Sequence, residues 1–507
     1  MCKTSLDTSP KIYYVQTPEN YHLGDYYERK GNLVRRIGMH WILASFLICA
    51  DIAGSGIVAL PIAITRFQFW SGMIFLILAG IAAVSSAIML GESWVILLRR
   101  FPVYRTHTRK PYSELALRAL GPKMRAVVSS IVNIGQFGST TVFILLSAKN
   151  LADLLRAFFR IDIGFCWAIL FVALFLFPIT LLKSPKDFWW VIVGGMLSTL
   201  VAMFLIISGS VLDYGDCAPS REMPKFNISN MLMSFGTILF TYGGHAAFPT
   251  VQHDMKNPAH FRRSALLAIT TVSILNMFLS TASVVTYGDS LRDSVINSIQ
   301  TFWMQQALNI MITAHCLMTV TLIINPLNQS IEELFRIPQS FTIKRVVVRA
   351  GTIGMCVFVA ETIPNFGSIM DLIGGSTITA TSFTLPCVFY LYLSAGAQKA
   401  QDDKTAFDEP LRLKEVIQRT RPMTLFFVGT LIVCSTIIGV IATVVSLEAI
   451  TNEHFEMPCY LRPFFASHVS NTTNNVNYVN CCGAYQNISR HGRTEDFCTK
   501  TNLNYYD

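Results

Sequence analysis

From Trp41 onward the chain alternates long apolar runs with short polar stretches. About 20 residues at ~1.5 Å each cross a hydrocarbon core. Segments of that kind fall near 41–64, 69–98, 126–149, 163–182, 187–212, 230–251, 264–287, 301–328, 346–362, 366–394 and 423–447. The pattern predicts an all-α integral membrane protein of about 11 transmembrane helices spanning 41–447. Residues 1–40 are polar and read as a tail with no packed element; Tyr13, Tyr14, Tyr21, Tyr26 and Tyr27 in it are candidate sorting or phosphorylation sites. Residues 448–507 form a second tail, and an odd number of spans puts the two tails on opposite faces.

Two of the runs are interrupted. In the first, Asp51 is followed by Gly54, Ser55, Gly56 and Pro61; in the sixth, Tyr242, Gly243, Gly244 and His245 are followed by Pro249. Glycine and proline weaken a helix, and in hydrocarbon a break survives only where it is buried in protein or lines a wet cavity. About fifteen residues separate Asn230 from His245, which places the histidine near mid-bilayer. The breaks lie five spans apart and run in opposite directions. Two inverted five-helix repeats, about 41–212 and 230–394, plus one extra helix at 423–447, give that arrangement, and with it a two-sided site between the broken helices.

Charge refines the picture. Only 14% of residues are charged and mean hydropathy is +0.45, against roughly 25% charged in soluble domains. With the N-terminus placed inside, 29 of the 40 Lys and Arg residues fall on the inner segments and 11 on the outer ones. Lys and Arg collect on cytoplasmic loops, so the N-terminus reads as cytoplasmic and the C-terminus as extracellular or lumenal. The net charge of +9 is accounted for by this bias and implies no nucleic acid. The basic loop 99–125 holds a short amphipathic helix, Tyr112 to Leu120 closed by Gly121-Pro122, suited to a membrane-face or gating element. No phosphate-cradling loop, metal cluster or nucleophile–base pair is visible, so the chain reads as a non-enzyme with no cofactor.

The string Gly54-Ser55-Gly56-Ile57-Val58-Ala59-Leu60-Pro61, the loop Tyr112–Gly121, and Phe240-x-Tyr242-Gly243-Gly244-His245-x-x-Phe248-Pro249 with Gln252, Met255, Lys256, Asn257 and Pro258 carry a resemblance. Over most of residues 40–447 the chain resembles the amino acid/auxin permease family, in particular the proton-coupled amino acid transporters of animals. The resemblance implies a secondary active transporter of amino acids, with small neutral ones expected. It implies alternating access in a plasma or endolysosomal membrane, most simply with a proton as coupling ion. Two other readings stand beside it: an amino acid-sensing membrane receptor with little transport, and a sodium-coupled transporter.

A free amino acid presents a carboxylate and an ammonium. Backbone donors at Gly54, Ser55 and Gly56 suit the carboxylate, Gly243 and Gly244 would line the opposite wall, and Tyr242 would bound the side-chain pocket. Asp51, His245 and His315, all within predicted spans, are the candidates for ion coupling; Asp51 also suits the substrate ammonium. Asp371, about five residues into its span, reads as partly solvated and structural.

On the outer face, Asn227, Asn471 and Asn487 head glycosylation sequons, whereas Asn328 at an inner span end should stay unmodified. Cys459, Cys481, Cys482 and Cys498 cluster in the outer tail, with Cys217 in another outer loop, and suggest disulfides of undefined pairing. The cysteines within spans read as packing residues. The sequence carries no signal for oligomeric state.

Overall fold

The computed structural model describes residues 26–29, 32–54, 56–106, 108–161, 163–181, 189–221, 223–338, 342–403, 409–452 and 458–461. The chain opens with strands β1 (Tyr26–Arg29) and β2 (Asn32–Arg35), then becomes helical. The first half holds α1 (Trp41–Ile52), α2 (Gly56–Arg66), α3 (Phe69–Arg100), α4 (Pro111–Leu120), α5 (Pro122–Phe159), α6 (Phe165–Thr180) and α7 (Trp189–Cys217). The second holds α8 (Ile228–Thr241), α9 (Phe248–His253), α10 (Phe261–Tyr287), α11 (Phe302–Leu334), α12 (Ile343–Thr362) and α13 (Phe366–Ile373). Helix α14 (Leu385–Asp402), α15 (Leu413–Arg419) and α16 (Pro422–Asn452) complete it.

Helix occurs in each of the eleven predicted segments. Among the described residues, seven helices are long and apolar enough to cross a membrane, and an eighth span results if the bent pair α1–α2 counts as one. The others fall short for local reasons. Helices α6 and α8 are apolar but only 16 and 14 residues long, and α12 carries Lys344, Arg345 and Arg349 in its first turns. The exterior is apolar, with Phe171, Leu174, Phe204, Phe278, Phe426 and Val440 all more than half exposed. Such a surface needs a bilayer to cover it.

The first span breaks where its glycines predict. Helix α1 stops at Ile52, α2 resumes at Gly56, and the two axes differ by 60°. Helix α8 ends at Thr241, and α9 begins at Phe248 after the turn Tyr242–Ala247. A third irregularity was not expected. Between α13 and α14 the chain winds as π-helix over Gly374–Ile378 and again over Ala380–Thr384. Single π turns inside α-helices often mark functional sites.

The polar tail read from 1–40 is packed in its described part. Strands β1 and β2 pair antiparallel, Tyr26 opposite Arg35 and Arg29 opposite Asn32. Tyr26 is fully buried; its hydroxyl donates to the His253 carbonyl at 3.2 Å, which removes it from the candidate modification sites. Arg35 pairs with Asp254 at 2.7 Å, and Met39 and Lys256 exchange backbone bonds with Asp254 and Met39 at 2.9 and 2.8 Å. The hairpin therefore ties the start of α1 to the end of α9. We call this the hairpin end of the bundle. At the other end, Gly288 to Gln300 pack into the protein with only Asp293 partly exposed, and Arg66 at the tip of α2 reaches Asp293 at 3.1 Å.

The cysteines correct one expectation. Cys459 is bonded to Cys166, at the start of α6, a position read from sequence as packing. Cys217 is disulfide-bonded as well. Cys481, Cys482 and Cys498 lie outside the described residues, as do the sequons at Asn471 and Asn487. Asn227 is exposed and caps α8, its side chain accepting from Ser229 N at 2.9 Å; Asn328 is fully buried in α11.

Candidate functional site

The breaks in the first and sixth spans meet face to face. A Cβ at Gly56 would lie 2.7 Å from Thr241 Oγ1 and 3.0 Å from Thr241 Cα, so the backbones of α2 and α8 touch where only glycine fits. Gly244 has φ +117°, a conformation other residues avoid, and a Cβ there would overlap the Asp51 carboxylate. The α8–α9 turn thus approaches the last turn of α1 across a gap with no room for a side chain. Asp51 Oδ2 is buried there without a hydrogen-bond partner among the described residues. A carboxylate held that way is costly in an apolar interior and is poised for a cationic partner.

The predicted backbone donors divide. Gly54 N donates to Ile52 O at 2.9 Å, and Gly54 O accepts from Ile57 N at 3.2 Å, so in this state both Gly54 groups serve the break itself. On the wall read opposite them, Gly243 N donates to Phe240 O at 2.9 Å. Ser55 lies outside the described residues. Tyr242 is fully buried, its hydroxyl within hydrogen-bond distance of Leu76 O at 3.2 Å and Ser273 Oγ at 3.1 Å. Its hydroxyl joins the sixth break to α3 and α10.

The two candidate histidines sit beside different breaks. His315 on α11 points at the first: a Cβ at Gly54 would be 3.4 Å from Phe143 Cζ and 3.7 Å from His315 Nε2. Its Nδ1 lies 3.1 Å from Gly195 O and 2.6 Å from Thr199 Oγ1, both on α7, and its Nε2 lies 3.2 Å from Thr319 Oγ1. The carbonyl assigns the hydrogen to Nδ1, leaving Nε2 to accept from Thr319 when the ring is neutral. A rotated Thr319 hydroxyl accepts instead when the ring is charged. Both protonation states keep their hydrogen bonds.

His245, at the sixth break, is fully buried. Its Nε2 lies 3.0 Å from Ala83 O and 3.1 Å from Ser86 Oγ on α3, while Nδ1 has no hydrogen-bond partner among the described residues. Its ring stands 4.5 Å from Phe248 and 6.2 Å from Phe383. The carbonyl needs the hydrogen on Nε2, so a second proton on Nδ1 would meet no acceptor.

Asp371 departs from its expected partial solvation. It is buried, accepts from the Thr237 hydroxyl, and its backbone packs on Gly236 of α8. Five residues from the span's start is still inside protein here, because α13 is covered by α5, α8 and α16. The residues missed from sequence are those that complete the surroundings: Thr241, Phe143, Thr199, Thr319, and Ile378 and Phe383 of the π-helical stretch. Ile378 Cγ2 would lie 3.2 Å from a Cβ at Gly243. The glycines and the hydroxyl-rich run from Gly374 to Thr384 were the signal for that stretch.

Known proteins share this architecture. MhsT, solved in complex with L-phenylalanine, superimposes with a TM-score of 0.52 at 11% identity, over 81% of this chain and 100% of its own. The manganese transporter of Eremococcus coleocola gives 0.51 at 12% identity, over 84% and 91%. In sequence, the amino acid transporter AVT1J of Arabidopsis thaliana is 23% identical over 69% of this chain and 81% of its own length. AVT1D of the same plant is 23% identical over 68% and 62%. These relatives are named as transporters, which is not an enzymatic function. The family profile described as "Transmembrane amino acid transporter protein" matches residues 38–442, and the chain belongs to that family.

Proposed function

We propose that this protein is a proton-coupled symporter that moves small neutral amino acids by alternating access, using the site between the two helix breaks. The observation that carries the reading is the contact of those breaks, Gly56 on Thr241 and Gly244 on Asp51, with Asp51 Oδ2 buried between them and without a hydrogen-bond partner among the described residues. The Asp51 carboxylate suits the substrate ammonium. The substrate carboxylate takes backbone donors at Gly54–Gly56 once the local bond from Gly54 N to Ile52 O gives way. His315 is the preferred proton carrier, because Thr319 serves either protonation state and because its ring backs onto the first break.

The helix order supports eleven spans in two inverted five-span halves, α1–α7 and α8–α14, with α16 as the extra helix. The hairpin end is then cytoplasmic, and the sequon at Asn227 is extracellular or lumenal. The hairpin packs at one end of the bundle, and the segment Gly288–Gln300 with the Arg66–Asp293 pair packs at the other. Cover at both ends suits an occluded stage of an alternating-access cycle.

The test is uptake of a panel of radiolabelled amino acids into proteoliposomes, with and without an inward proton gradient. Accumulation of alanine-sized substrates that follows the gradient is the expected result. Saturable binding with no uptake would assign a receptor instead, and uptake driven by sodium but indifferent to the proton gradient would replace the coupling ion.

A further inference from the structure

The π-helical stretch ends in a way that names a residue far from it in sequence. Leu385 N donates to Ala380 O, five residues back. The next bond of that series would run from residue 386 to Thr381 O, and residue 386 is proline, which has no N–H. The Tyr112 hydroxyl donates to Thr381 O at 2.6 Å. Tyr112 is itself buried, with its ring 5.5 Å from Phe389 of α14 in an edge-on arrangement. It belongs to α4, the short helix at the hairpin end, which is held to the end of α3 by further polar contacts. Tyr104 Oη donates to Glu114 at 2.8 Å, Arg118 Nε donates to Tyr104 Oη at 2.9 Å, and Arg118 stands 4.2 Å over the Phe101 ring.

We propose that Tyr112 is a positioning residue for the substrate site: its hydroxyl replaces the backbone donor that Pro386 lacks and so fixes the π register of residues 374–384. That register sets Phe383 beside His245 and Ile378 against Gly243 at the sixth break. It also makes α4 the link between the hairpin end and the site, since any motion that carries α4 away must first release Thr381 O. The effect on transport rests on the site proposed above; the link between Tyr112 and the π register does not.

The substitution Tyr112→Phe keeps the ring against Phe389 and removes only the donor. Full-length protein in proteoliposomes should show a KM raised about fivefold, the size of one buried hydrogen bond, with the maximal rate kept within about twofold. The double variant Tyr112→Phe/Pro386→Ala returns a backbone N–H to the place where the π series needs it, and should bring the KM back to within about twofold of the parent. A role in packing alone predicts no such rescue. Hydrogen–deuterium exchange over 378–389 gives a readout free of transport: faster in Tyr112→Phe, restored in the double variant. An unchanged KM, or a raised KM that Pro386→Ala fails to rescue, overturns the proposal. If the parent shows no uptake at all, the symporter reading fails, and exchange alone decides whether Tyr112 sets the register.

Discussion

The first and sixth breaks look alike in sequence, each with paired glycines, a proline and an ionisable neighbour, yet the protein surrounds them differently. At the first, His315 is met on both ring nitrogens by groups that accommodate gain or loss of a proton, because Thr199 and Thr319 carry hydroxyls that donate or accept. At the sixth, His245 holds Ala83 O with one nitrogen and presents the other to aromatic surroundings, Phe248 and Phe383. A buried imidazole that cannot find an acceptor for its second proton is held neutral by the cost of an uncompensated charge. The lesson is that an ionisable residue beside a break is not a coupling group by position alone. Its second-nitrogen partner decides: Thr319, one turn along the same helix, for His315, and none among the described residues for His245.

The largest effect should come from destroying what the breaks share. Gly56→Leu forces a side chain into Thr241 and should reduce uptake to background, while the purified protein still elutes as a single folded species. Uptake within twofold of the parent would refute the site between the breaks. Next in size is His315→Gln, which offers hydrogen bonds but takes no proton. Gradient-driven accumulation should fall to equilibration, whereas counterflow exchange of labelled for unlabelled substrate continues. Accumulation that survives with its pH dependence intact would remove His315 from the coupling role and dissolve the contrast with His245.

Why the breaks were legible and this contrast was not follows from what each depends on. Breaks are local: Gly54, Gly56, Gly243 and Gly244 announce themselves in a run of residues that otherwise favour helix, and the structure stops α1 and α8 beside them. Much of the environment of each ring is contributed by residues more than a hundred positions away, such as Thr199 to His315 or Ala83 to His245, and joins near neighbours such as Thr319 and Phe248. Periodicity carries no record of those pairings. The hairpin escaped for a different reason. Its strands are four residues each and largely polar, and Tyr26 is buried by His253 and its neighbours, not by its own strand. The π-helix escaped because its residues keep a helical pattern: the glycines and hydroxyls of 374–384 mark the stretch as unusual, and Pro386 with a distant tyrosine carries the change of register.

A smaller effect is expected at the sixth break. His245→Gln retains a donor for Ala83 O but reshapes the contact with Phe248 and Phe383. The KM should rise by about fivefold or less, on the scale of one hydrogen bond, and the pH profile of uptake should keep its shape. A displaced pH profile would mean that His245 exchanges protons after all, and the two breaks would then be equivalent.

The smallest effect tests the hairpin, which clamps the chain just after α9 to the start of α1. The Arg35–Asp254 pair is 2.7 Å long, but the aspartate side chain is 47% exposed, against 12% for Asp293 in the Arg66 pair at the opposite end. Water and salt screen an exposed pair, which leaves it worth about 0–1 kcal/mol. Arg35→Ala removes that pair and the bond from Arg35 to the His253 carbonyl, leaving Tyr26 and the backbone bonds of Met39 and Lys256 in place. The transport rate should therefore change by less than about fivefold, and the difference from the parent should shrink as salt is raised from ~0.01 to ~0.5 M. Arg66→Ala, at the more enclosed pair, should exceed it and respond less to salt. Equal effects from both substitutions would show that the hairpin holds its end as firmly as the buried loop holds the other, and that the sixth break opens no more easily than the first.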